Sequence, residues 1–183
     1  MSEEIHRVSN FPYDCPLKKI NAYFEGLDCS IYDKDYVEKV ECWLATDVKG
    51  QNMMNAIIVL KKDILTLINR YQFLIEVQNN NNSYLSMEVD ICKALGTSFK
   101  NPVTRMVSEE AHRISNFPYA CPLKKGIRYA INNFTINSRL IPTFTPALRW
   151  ISNSEFFVGQ KHVLRFDAFG RVEHMKMKAN KKS

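Results

Sequence analysis

Cysteine and histidine are the residues of this 183-residue chain whose chemistry depends most on spacing, and here the spacing narrows what they can do. Cysteines stand at 15, 29, 42, 92 and 121. No two are close enough for the Cys-x-x-Cys pattern that zinc or thioredoxin-like redox sites need, so widely spaced disulfides are the better reading. A bridge from Cys92 to Cys121 closes a loop of 29 residues, which chain entropy values at about 3.5 kcal/mol. Cys121 with His112 could instead be a nucleophile and its base, but no orienting third residue or oxyanion loop accompanies them, and half of a disulfide is the preferred role. His6, His162 and His174 lack the helical spacings that metal sites use and are expected at the surface. Asp90 either faces solvent from its strand or caps the turn after Cys92. With six glycines in the chain, no glycine-rich phosphate loop is present. The expectation is a protein that is not an enzyme and holds no metal or cofactor.

Aromatic side chains are the other candidates. Trp43, Phe73, Phe99, Phe134, Trp150 and Phe166 fall mostly on strands or at their ends. In a sandwich whose sheets stand about 10 Å apart, such residues either fill the gap or, if the sheets splay, line an apolar ligand pocket.

The elements that must position these groups are mostly strands. Glu41 to Ala45, Met54 to Leu60 and Ile64 to Ile68 read as apolar, β-rich runs, with Lys61-Lys62-Asp63 as a turn. Tyr71 to Gln78 and Leu85 to Ile91 alternate with period two on either side of Asn79 to Asn82, which predicts a hairpin with Asn81 at its exposed tip. Asn101-Pro102 then opens a helix running to Ser115, with Val103, Met106, Val107, Ala111 and Ile114 at helical spacing. Strands resume at Ile127 to Asn132 and Leu164 to Ala168, and Phe169-Gly170-Arg171 reads as a turn into a last strand. Many short strands around one helix (about 101–115) predict a mostly β sandwich.

One stretch occurs twice: Ser108 to Lys125 repeats Ser2 to Lys19 with changes only at Ile5/Ala111, Val8/Ile114 and Asp14/Ala120. The second copy is the helix end and the exit loop that delivers Cys121. The first copy lacks the preceding half of the domain, so residues 1–23 are expected to be a weakly ordered segment joined to a domain at 24–178, followed by a basic tail at 179–183. Cys15 is then the unpaired cysteine. Asn81-Asn82-Ser83 and Asn133-Phe134-Thr135 fit the glycosylation acceptor pattern.

A formal charge of +6 raises polyanions or anionic membranes as partners, but no nucleic-acid motif accompanies it and none is expected. The residues Met1 to Arg7 carry no apolar signal region, and no stretch approaches the roughly 18 apolar residues of a membrane span. Read literally, that predicts a cytosolic protein, against the cysteine reading.

Phe24-Glu25-Gly26-Leu27-Asp28-Cys29, Cys42-Trp43-Leu44, Val89-Asp90-Ile91-Cys92-Lys93-Ala94-Leu95, Asn101-Pro102 and Ser115-Asn116 leading to Cys121-Pro122 resemble an insect-expanded family of small secreted proteins related to the CheB chemosensory group. The resemblance covers about Phe24 to Lys178. It implies an ML-type, immunoglobulin-like β-sandwich similar to the ganglioside activator protein, with an apolar ligand such as a lipid or hydrocarbon between its sheets. With chain order, it also implies the pairs Cys29–Cys42, tying the first strand to its own hairpin, and Cys92–Cys121. The function it implies is a secreted, monomeric carrier or chemosensory accessory protein, with a membrane receptor as a possible partner. The alternative is a protein-interaction module with a solid core that recognises its partner through loops.

Overall fold

The computed structural model describes residues 19–48, 50–77, 80–96, 108–109, 111–138, 141–142 and 144–175. Cys15, Phe99 and the tail at 179–183 lie outside them, as do all but the last residue of the first repeat copy. Eight strands follow in order: β1 (Lys19–Ile31), β2 (Val37–Thr46), β3 (Asn52–Leu60), β4 (Ile68–Val77), β5 (Asn80–Asp90), then a single helical turn α1 (Ile91–Ala94), and β6 (Arg128–Phe134), β7 (Leu148–Val158) and β8 (Lys161–Met175). They form a five-stranded antiparallel sheet, β1-β8-β7-β4-β5, and a three-stranded one, β2-β3-β6. The chain is therefore a mostly β, two-sheet sandwich, as its period-two runs predict.

Within the expected helix, residues 108–109 and 111–114 are helical, whereas 101–107 lie outside the described residues. At its exit, Ser115 bridges Ile131. Asp90 takes the capping role: its carboxylate accepts the Lys93 N–H at 3.1 Å, starting α1. Lys93 also pairs with it at 3.0 Å, and these bonds hold the Asp90 carboxyl below the usual carboxylate range.

Several local expectations need correction. β1 begins at Lys19, inside the segment assigned above to residues 1–23, with Ile20 and Ala22 buried. Phe169-Gly170-Arg171 is not a turn, because β8 runs through it. A Cβ at Gly170 would meet the Tyr23 carbonyl and the Trp150 ring, so the glycine gives an indole room to lie against the strand. The β4–β5 ladder continues to Val77 opposite Asn80, which places Asn81 in β5 opposite Glu76 instead of at the hairpin tip. Ile64 makes only an isolated bridge, to Leu123, before β4 starts at Ile68.

Two apolar clusters lie between the sheets. Val37, Leu60, Ile64, Leu67, Leu95, Leu123, Tyr129, Val163 and Leu164 make one, which we term the closed end. Ile20, Ala22, Phe24, Trp150, Ala168 and Val172 make the other, the aromatic end. Disulfides join Cys29 to Cys42 and Cys92 to Cys121. The first does not tie a hairpin: β1 and β2 belong to different sheets, so this bridge staples one sheet to the other.

Candidate apolar site at the aromatic end

Alternation along β1 turns Ile20, Ala22 and Phe24 inward, and the bulge between Phe24 and Gly26 keeps Leu27 on the same side. Asn52, at the start of β3, donates to the Phe24 carbonyl at 2.8 Å and holds the bulge from the opposite sheet. Around Phe24, the Trp150 ring meets it edge-on at 5.5 Å, and Phe134 lies 6.1 Å away. Phe73 stacks on Trp150 at 6.1 Å. Leu44, Met54, Ile136, Ile141 and Leu148 surround this group, each only partly buried. The arrangement is an aromatic floor with an unsealed aliphatic fringe, which suits apolar or ring-bearing guests.

Of the aromatic residues expected to line a cavity, the fold brings together Phe73, Phe134 and Trp150. Phe166 packs instead on Phe156, rings 6.0 Å apart, against the closed-end cluster. Trp43 pairs with Asn55 on the outer side of the small sheet and is 43% exposed, because beyond the bulge between Val37 and Lys39 the odd-numbered positions of β2 face away from the partner sheet. Phe24 was missed, although its signal was legible: it continues the Ile20–Ala22 alternation.

A cavity of about 210 Å³ lies beside the same tryptophan, lined by Glu76, Arg149, Trp150, Ile151 and Phe169. By alternation all but Trp150 belong to the outer face of the large sheet, so this cavity backs onto the aromatic group instead of opening within it. The Phe169 ring lies over Gly26, where a Cβ would collide with it. Beside it runs a charged lattice: Arg171 pairs with Glu25 and Glu173, and Arg149 reaches Glu76 at 3.4 Å. Glu25 and Glu173 hold the Arg171 guanidinium in its charged form. Burial, with a hydrogen bond to Glu173, pushes the Tyr23 phenol upward.

Several of the other residues weighed above have partners in the fold. The sulfur of Cys121 is committed to Cys92, and His112 lies on the Tyr119 ring at 4.1 Å with Nε2 3.0 Å from the Leu95 carbonyl. His162 is not a free surface residue: it is half-buried between Tyr32 and Phe157, at 4.0 and 4.9 Å. His174 is half-buried too. Asn133 is exposed, adopts a left-handed φ of 53°, and donates its backbone N–H to Asn55 at 3.0 Å. Asparagine tolerates that conformation better than most side chains.

A family model described as a protein of unknown function, DUF1091, matches residues 69–151, a span that contains Cys92, Cys121, Phe73, Phe134 and Trp150. No curated protein matches the chain. Among solved structures, the chain is similar to a Niemann-Pick type C2 protein from the Japanese carpenter ant. That match has 14% identity and a TM-score of 0.33, and covers 81% of this chain and 89% of that one. At that distance neither ligand nor role transfers from the ant protein, and the family likeness rests on the segment 69–151.

Proposed function

We propose that the protein is a secreted binding protein, not an enzyme, that takes up a lipid or other apolar small molecule at the aromatic end and acts as a monomeric carrier or chemosensory accessory. The observation that carries this reading is the convergence of Phe24, Phe73, Phe134 and Trp150 between the sheets, inside a fringe of half-buried aliphatic residues. Covering that fringe gains about 25 cal/mol per Å² of apolar surface, against the lost freedom of the guest. Two disulfides support an oxidising compartment, where Asn133, exposed within its acceptor triplet, and Asn81 are candidate glycan sites.

A second reading, recognition of a protein partner, is favoured by β5. Among the described residues this edge strand pairs with β4 alone, and it exposes Tyr84 (75%), Leu85 (40%) and Met87 (44%). Lipid extraction and mass spectrometry of protein made in an oxidising host, with uptake of a fluorescent fatty acid, separates the two. Ligand binding predicts a bound apolar species and a loss of at least about tenfold in affinity for Phe73→Ala, with Trp43→Ala unchanged. Protein that is empty and takes up no fatty acid overturns it.

A further inference from the structure

Six lysines from four separate segments converge on the closed end: Lys34 between β1 and β2, Lys61 and Lys62 after β3, Lys124 and Lys125 before β6, and Lys161 at the start of β8; all six are exposed. Backbone bonds hold these segments together. Lys61 N–H donates to Tyr36, Gly126 N–H to Leu60, and Tyr32 N–H to Val163, while Ile64 and Leu123 exchange bonds at 2.9 Å. The ammonium groups of Lys62 and Lys161 share the Tyr36 ring, at 5.1 and 5.5 Å from its centre.

Carboxylates also stand among the lysines, exposed Glu38 at the start of β2 being one. Asp63 is engaged by Lys124 Nζ and the Lys125 N–H, both at 2.9 Å. Asp33 takes the Asp35 N–H at 2.8 Å and lies 3.7 Å from Lys161. Asp35 is exposed beside it. The surplus is cationic, and apolar side chains project between the lysines: Leu65 is 72% exposed, Ile127 46% and Tyr32 55%.

We propose that this end of the sandwich docks on an anionic lipid bilayer, with Lys34, Lys61, Lys62 and Lys125 against the headgroups and Leu65 and Ile127 in the interfacial layer. Charge complementarity selects an anionic partner. The protruding leucine and isoleucine select a bilayer over a soluble polyanion, because only a bilayer offers apolar depth to bury them. The docking does not depend on a ligand at the aromatic end. Where that ligand reading also holds, the aromatic end points away from the membrane.

The test is co-sedimentation of the full chain with vesicles of phosphatidylcholine alone or with about one-third phosphatidylserine. Binding is expected to the anionic vesicles only, and to fall with added salt. Each lysine contributes about fivefold in partitioning, so Lys61→Glu/Lys62→Glu/Lys125→Glu lowers it by more than about a hundredfold. Leu65→Ser lowers it by about tenfold, with heparin retention unchanged. Of these side chains Lys62 alone makes a contact described above, with the Tyr36 ring, and circular dichroism verifies the fold of each variant. The proposal assigns the binding to the closed end, and reversing Lys176, Lys178, Lys181 and Lys182 is therefore expected to leave partitioning unaltered. Equal binding to both vesicles, loss through the tail variant, or indifference to Leu65→Ser would each overturn the proposal, the last in favour of a soluble polyanion such as RNA.

Discussion

The two ends of the sandwich hold their cores by different means. At the closed end Val37, Ile64 and Val163 are each 1% exposed, and a disulfide, a cross-loop bridge and side-chain caps surround them. Asn116 extends the edge of β6 with its amide, donating to Arg128 O at 2.8 Å and accepting from the Ala130 N–H at 2.6 Å. Phe117 stacks on Tyr129 at 5.2 Å, and the Tyr129 hydroxyl accepts the Lys124 N–H. At the aromatic end, large rings meet edge-on or offset, and the aliphatic fringe stays partly open. Polar ties fix one arrangement, whereas rings and half-covered aliphatics leave surface for a guest. On the proposed reading, stability and binding lie at opposite ends of the sandwich.

The sharpest way to break that division is Ile64→Ala. Truncating a side chain this buried costs about 4 kcal/mol, read as a shift in urea midpoint, whereas Phe73→Ala, half-buried, costs about half as much and weakens binding instead. Equal stability losses would erase the distinction. Removing the Cys92–Cys121 bridge as a double alanine variant costs about 3.5 kcal/mol through the freed 29-residue loop. Fatty-acid uptake by the remaining folded protein should persist, and its disappearance would show that the ends are coupled.

Glycines sharpen the comparison within the aromatic end. Gly170→Ala drives a methyl into the Tyr23 carbonyl and the Trp150 ring, costing about 2.5 kcal/mol and shifting tryptophan emission. Gly26→Ala meets only the exposed Phe169 ring, and about 1 kcal/mol is expected; the reverse order would place Trp150 wrongly.

Acid provides the smallest effect and acts on two carboxyls of the closed end. The Lys125 N–H and Lys124 hold the Asp63 carboxyl low, and Lys93 does the same for Asp90. A depressed folded value means that the contribution is complete above the unfolded value of about 3.9. It is lost as pH falls through the lower folded values. Asp63→Asn/Asp90→Asn should therefore flatten the acid limb of stability below about pH 4, measured by urea midpoints, without altering its neutral plateau's pH dependence.

Much of the scaffold was legible from residue order. The alternation of Tyr71 to Val77 and of Leu85 to Ile91 announced β4 and β5, and Asp90 was a visible cap candidate. What escaped notice did so for physical reasons. Gly170 looks like a turn because a glycine's local preference is permissive, and only the indole of Trp150 across the ladder makes it a strand residue. β7 was overlooked because Ser152, Asn153, Ser154 and Glu155 interrupt its apolar pattern; they are half-buried within the large sheet.

The candidate site was half legible. Composition marks Trp43, Phe166 and Trp150 alike, but strand phase turns Trp43 outward, and position along β8 assigns Phe166 to the closed end. By itself the sequence determined the strand content and the wide cysteine spacing and offered Asp90 as one of two alternatives, a cap or a solvent-facing strand residue, because these depend on neighbours a few residues away. Tertiary structure decided that Cys29–Cys42 joins two sheets, that four aromatic residues from β1, β4, β6 and β7 meet at one end, and that six lysines gather at the other. Each depends on how distant strands are paired and stacked, and local preference does not encode that.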